Sequence, residues 1–345
     1  MTLREKVGQL LMVGFRGLEP GERSPILRDV RDGRVGGVVL FDRDLARGSD
    51  RRNIRSPRQV KRLIATLQEA APVPLLVAVD QEGGEVARLK ARHGFPETPS
   101  ARSLGEADDP ERTRRCAEVT AAMLAEAGFN LNFAPVVDLD THPENPIIGR
   151  HGRSFSADPA IVVRHALAVI AAHREHGVRC CLKHFPGHGS SRRDSHLGFT
   201  DVSDTWDPLE LEPFREIIAR GQADAVMTAH VFNRFLDPEL PATLSSKTIG
   251  GLLRRELGFN GAVISDDLDM KAIHAEFSRE RALELALGAG NDILLVANNL
   301  DYDRNIASRV TDAILGLVAA ARVATYRIDE AYRRVMELKR RKPLP

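Results

Sequence analysis

At 345 residues the chain is long enough for one large α/β domain or two smaller ones. A formal charge of +1 provides no field to draw in nucleic acid or an anionic membrane, and 43% hydrophobic with 28% charged residues excludes a disordered or fibrous chain. The three cysteines build no disulfide framework, which fits a reducing compartment. Cys180 and Cys181 are adjacent in an apolar run and are expected on opposite faces of a strand, while Cys116 stands alone. The opening stretch MTLREKVGQLLMVGF has early charges, a brief apolar run and no small-residue cleavage site, so no secretory leader is expected. No run approaches the ~18 apolar residues of a membrane span. The expectation is a cytoplasmic monomer that binds neither nucleic acid nor membrane.

Taken in chain order, apolar runs rich in β-formers recur at 10–15, 37–41, 75–79, 130–137, 180–182, 225–228, 262–264 and 293–296. They are continuous rather than alternating, as in strands covered on both faces of a parallel sheet. Helical segments lie between them. Ser56 precedes 57–70, Asp109 precedes 110–127 with Gly128 after it, and Asp158 precedes 159–176 with Gly177 after it. Asp207 and Gly221 bracket 208–220, Gly258 follows 245–257, and Ser278 and Gly290 bracket 279–289. A repeated order of Asp or Ser cap, helix, Gly stop and strand predicts about eight β/α units. The fold expected is a single (β/α)8 TIM-type barrel spanning residues 1–345, with an extra C-terminal helix over 328–340. An open doubly wound sheet is the competing architecture.

The stretch CCLKHFPGHGSSRRDSHLGFT, residues 180–200, is the densest in chemistry. A buried strand delivers Lys183, His184 and His188 around the Pro186-Gly187 turn, and a polar loop carries Asp194, Ser195 and His196. Gly189 is expected to loosen the backbone. Other predicted strands also end in polar groups: Asp80-Gln81-Glu82-Gly83-Gly84, Asp138, His230, and Ser265-Asp266-Asp267. A barrel has its functional face at these carboxyl ends. The Gly83-Gly84 pair allows a sharp turn or close approach to a ligand, but it lacks the spacing of a nucleotide phosphate loop, so no cofactor is expected.

These residues resemble a known family. VDQEGGEVARL (79–89), RSF (153–155), KHFPGHG (183–189), DSH (194–196) and ISDDLDM (264–270) are similar to glycoside hydrolase family 3, and within it to the bacterial β-N-acetylglucosaminidase branch. The resemblance runs from about residue 3 to 300. It implies a retaining exo-hydrolase of terminal β-linked N-acetylglucosamine, acting on cell-wall muropeptide fragments. By it Asp266 is the nucleophile, His196 the general acid/base paired with Asp194, and Asp80, Arg88, Arg153, Lys183 and His184 hold the sugar hydroxyls. A phosphorylase or a β-glucosidase of the same family remains an alternative. The segment before RSF is long, so Arg150 competes with Arg153 for the binding role.

The residue types suit the chemistry. A short, rigid carboxylate serves as nucleophile, and a histidine near neutrality passes a proton both ways. Lys183 has a second reading as buried ion-pair partner of Asp138, and His230 and Asp138 are read as pocket lining. A metal-dependent barrel hydrolase using His184, His188, His196, His230 and Asp266 is the more remote reading. His184 and His188 straddle Pro186-Gly187 and do not form a helical zinc pair, so no metal is expected.

Overall fold

The computed structural model describes residues 1–192 and 200–340. The loop pair Asp194 and His196 lies outside the described residues. Eight parallel strands form the core: β1 Leu11–Gly14, β2 Gly37–Val39, β3 Leu76–Val79, β4 Leu131–Asn132, β5 Arg179–Phe185, β6 Ala225–Thr228, β7 Ala262–Ile264 and β8 Leu294–Val296. Their order is β7-β6-β5-β4-β3-β2-β1-β8, and a bridge from Ile264 to Ile293 joins β7 to β8 and closes the ring. This is the (β/α)8 barrel expected, and all eight strands fall on the apolar runs.

The helices begin where the caps predict. Ser56 accepts Gln59 N–H, Asp109 accepts Arg112 N–H and Ser278 accepts Arg281 N–H, each satisfying an otherwise orphaned first-turn donor. The helices 57–70, 110–127 and 279–289 end where the sequence places their ends. Two expectations change. The predicted helix over 208–220 is a 3-10 turn, Pro208–Leu211, followed by a helix Glu212–Ala219. Pro213 has no N–H for the Leu209 carbonyl, so one continuous ladder cannot form. The segment Lys247–Glu256 is wound wider than an α-helix, with Leu257 N–H bonded to the Leu252 carbonyl five residues back. Helices Leu3–Gln9, Pro25–Arg31 and Ile306–Ala319 were not anticipated.

The barrel interior is filled by inward-facing side chains including Met12, Leu131, Phe133, Cys181, Met227 and Ile264. Cys180 packs instead into the outer cluster against the helices, so the two cysteines do face opposite ways. The extra C-terminal helix, Thr325–Arg340, is more than an appendage. Its Val335 and Leu338 belong to the interior cluster and stopper the amino-terminal end of the barrel. Arg179 of β5 donates to the Leu338 and Lys339 carbonyls, and buried Asp292 gathers Arg254, Arg327 and Arg334 beneath the barrel. With the amino-terminal end sealed, the cavity opens at the carboxyl ends of the strands.

Candidate active site

The cavity at the carboxyl ends holds about 430 Å³, a volume suited to a small molecule, and its lining includes Asp80, Arg88, Arg153, Lys183, His184 and Asp266. Six of the eight residues singled out from the sequence therefore converge there. The floor is an ion cluster. Lys183, only 2% exposed, donates to Asp80 at 2.8 Å and lies 2.6 Å from Glu82. Arg153 grips both Glu82 oxygens at 2.7 Å, and Arg88 reaches Asp80 at 3.3 Å. Burial opposes the charge on Asp80, but the Lys183 and Arg88 cations outweigh it and hold that carboxyl far below the usual range. Glu82 is lowered in the same way, against its burial, by Arg153 and Lys183. Burial likewise opposes the Lys183 ammonium, and the two carboxylates still raise its pKa.

Lys183 therefore pairs with Asp80 and Glu82, not with Asp138. Lys183 and His184 both face the pocket because β5 bulges: Leu182 pairs with Val226 and Phe185 with Thr228, so three steps on β5 match two on β6. Asp138 sits behind the site, fully buried, and does not line it. One of its oxygens takes His184 Nδ1 at 2.7 Å, and the other takes His188 N–H at 2.8 Å. Arg153 Nη2 lies 3.3 Å from His184 Nε2. A guanidinium only donates, so Nε2 is the acceptor and the His184 proton sits on Nδ1 toward Asp138. Burial, reinforced by nearby His184, pushes His188 down to about 4 and keeps it neutral.

Arg150 is out of contention. Its side chain is 64% exposed and pairs with Glu144, whereas Arg153 is in the floor. His230 also leaves the lining: its nitrogens engage the Thr243 hydroxyl and the Asp267 carbonyl, both at 2.9 Å, which steadies the loop after β7. On that loop Asp267 N–H donates to an Asp266 oxygen at 2.8 Å. Burial, with the charge of Asp269 next, raises the Asp267 carboxyl to about 7, while its Oδ1 accepts Asp269 N–H and Ala297 N–H.

The Gly83-Gly84 pair makes the sharp turn expected, but the Gly189 reading does not hold. Gly83 has φ +107° and a Cβ there would stand 2.0 Å from the Pro99 carbonyl, so the turn packs on its own chain rather than on a ligand. A Cβ on Gly189 would meet the Leu139 carbonyl at 1.8 Å, so this residue pins the chain instead of loosening it.

Two residues of the site region had no role assigned from the sequence. Glu82 is two positions from Asp80, and a period of two would have put both on one side. Glu210 carries no such signal. It lies in the 3-10 turn far along the chain, is fully buried, and accepts Gly189 N–H at 2.9 Å. Burial raises its carboxyl to about 7. Among the described residues no three His, Cys, Asp or Glu side chains converge as metal ligands. None of their helices is long and apolar enough to cross a membrane.

A closed parallel barrel with an ion-paired cavity at the carboxyl ends of its strands is the site of a TIM-barrel enzyme. The Glycosyl hydrolase family 3 N terminal domain matches residues 2–338, and the chain belongs to that family. It is 39% identical over 295 residues to a beta-hexosaminidase of Tolumonas auensis, covering 84% of this chain and 83% of that protein. It is 37% identical over 276 residues to a beta-hexosaminidase of Pseudomonas aeruginosa, covering 78% and 77%. Among solved structures, a family 3 beta-N-acetylglucosaminidase from Paenibacillus superposes with TM-score 0.88 at 40% identity. It covers 98% of this chain, which spans only 62% of that longer protein. A beta-N-acetylhexosaminidase from Beutenbergia cavernae superposes with TM-score 0.87 at 33% identity, covering 98% of both.

Proposed function

We propose that the chain is a retaining exo-β-N-acetylglucosaminidase, built as one catalytic domain over residues 1–345. The observation that carries this reading is the convergence of Asp266 with Asp80, Lys183 and Arg153 in one cavity, with Glu82 pairing both cations from behind. Carboxylates accept and cations donate hydrogen bonds, so such a cluster can grip neighbouring hydroxyls of a pyranose from both sides. Arg88, Arg153, Lys183, His184 and Asp80 are the binding residues in this reading. Asp266 attacks the anomeric carbon and forms a glycosyl ester, with the Asp267 N–H fixing one of its oxygens. His196, oriented by Asp194, protonates the departing oxygen. It then takes a proton from the water that cleaves the ester. The identity to beta-hexosaminidases supports an N-acetylated sugar over glucose. Cell-wall fragments in the cytoplasm are the natural substrate we infer.

The deciding assay compares aryl β-N-acetylglucosaminide with aryl β-glucoside. The first should be hydrolysed with the β anomer released first, and the second should be a poor substrate. Preference for glucose, or an α anomer as first product, would overturn the reading.

A further inference from the structure

The barrel order sets β1 four strands from β5, directly across the ring. The loops after β1 and β8 therefore stand opposite β5 and β4, and the loop after β2 lies beside them, next to β3. These loops are clamped from within. The Asn299 side-chain oxygen accepts Leu45 N–H at 3.0 Å and Arg52 at 2.7 Å, and its backbone carbonyl accepts Ala46 N–H at 3.0 Å. Arg52, whose side chain is fully buried, also donates to the Asn298 carbonyl at 2.7 Å. Arg16 forks onto Asp44 and lies 4.0 Å over the Tyr302 ring, tying the first loop to the other two.

Leu45 and Leu300 come from two of these clamped loops. Both line the cavity that holds Asp266, yet they remain 53% and 39% exposed. Among the described residues the other large exposed hydrophobics, such as Phe235 and Tyr326, lie away from it. Bare leucines on a rigid support keep an unfavourable contact with water that only a bound group removes. The charged floor takes the hydroxyl-rich sugar, and the group beyond the scissile oxygen points toward the open mouth. A pyranose ring presents an apolar C–H face of about the width of two leucine side chains.

We propose that Leu45 and Leu300 form the leaving-group subsite and receive the C–H face of a second sugar ring. This rests on the reading of the cavity as a β-N-acetylglucosaminidase site. The subsite acts on substrates whose leaving group is a sugar and is blind to leaving groups too small to reach it.

The test uses the full chain and two substrates, N,N′-diacetylchitobiose and methyl β-N-acetylglucosaminide, with released N-acetylglucosamine measured. The double variant Leu45→Ala/Leu300→Ala should lose roughly tenfold or more in kcat/KM for the disaccharide, the scale of removing a methylene or more from an apolar contact. Its kcat/KM for the methyl glycoside should stay within about twofold. Leu45→Met/Leu300→Met keeps the apolar area and should restore the disaccharide rate. Equal losses on both substrates, or no loss on the disaccharide, would overturn the subsite. A wild-type chain that releases N-acetylglucosamine from neither would overturn the enzymatic reading itself.

Discussion

Lys183 stays charged in the interior because two carboxylates surround it, and each carboxylate stays charged because Lys183 or an arginine faces it. Asp80 and Glu82 have lowered folded pKa values. Their contribution to stability is present above roughly pH 4 and is lost as pH falls through those values. Lys183 is raised, so its contribution is present up to about pH 10 and fades only above that. The cluster thus keeps its charges through neutrality. Glu210 behaves in the opposite way. Its carboxyl is raised to about 7, so the native protein is disfavoured progressively as pH rises from the ordinary carboxylate range to about 7, and evenly above it. Glu210→Gln should therefore gain in melting temperature, relative to the parent, between pH 5 and pH 8. A difference that does not vary with pH would mean that Glu210 is ionised throughout. For Asp266 the expected outcome is kinetic: Asp266→Ala should lower kcat by roughly 10³-fold or more with an unchanged circular dichroism spectrum. A 2-fluoro sugar should esterify Asp266, and labelling of Asp267 or Asp80 would reassign the nucleophile.

Two elements do more than their sequence patterns suggest. The bulge in β5 turns a strand that would show alternate faces into one that delivers Lys183 and His184 to the same pocket. The helix Thr325–Arg340 seals the barrel floor with Val335 and Leu338. Leu338→Ala should cost about 2–4 kcal/mol of stability through the cavity it leaves. Because Leu338 stands at the opposite end of the barrel from Asp266, kcat at 25 °C should be preserved. Thermal unfolding and initial rates on the same preparation check both halves, and a variant that lost turnover without losing stability would contradict this division.

At the scale of the molecule, one end of the barrel is a stopper and the other a mouth, and the proposed chemistry belongs to the mouth. There the proposed acid/base is a histidine, which is neutral after giving up its proton, so an anionic acceptor meets less repulsion than it would from a second carboxylate. His196→Ala should slow hydrolysis of poor leaving groups most. Activated aryl glycosides should show a burst followed by slow deglycosylation, which phosphate or azide accelerates. Equal losses for good and poor leaving groups, with neither a burst nor an anion effect, would remove His196 from that role.

The architecture was legible in the sequence because its signals are local. Continuous apolar runs mark strands buried on both faces, and Asp109, Ser56, Ser278, Gly128 and Gly290 mark helix ends through bonds made within a few residues. The helix Ile306–Ala319 also carries a local signal, since Ile306, Val310, Ile314 and Leu317 repeat at helical spacing, but no side-chain cap marks its start. Strand ends also exposed the floor residues Asp80, Lys183 and His184, since a barrel puts those ends in one place. What only the tertiary structure decided is pairing. Lys183 turned to Asp80 and Glu82 and not to Asp138, Arg153 displaced Arg150, and Glu210 came in 21 residues along the chain to hold Gly189. Such partners are chosen by distance across the folded barrel and by the cost of leaving a buried charge unmatched, and neither quantity is written in the order of residues along the chain.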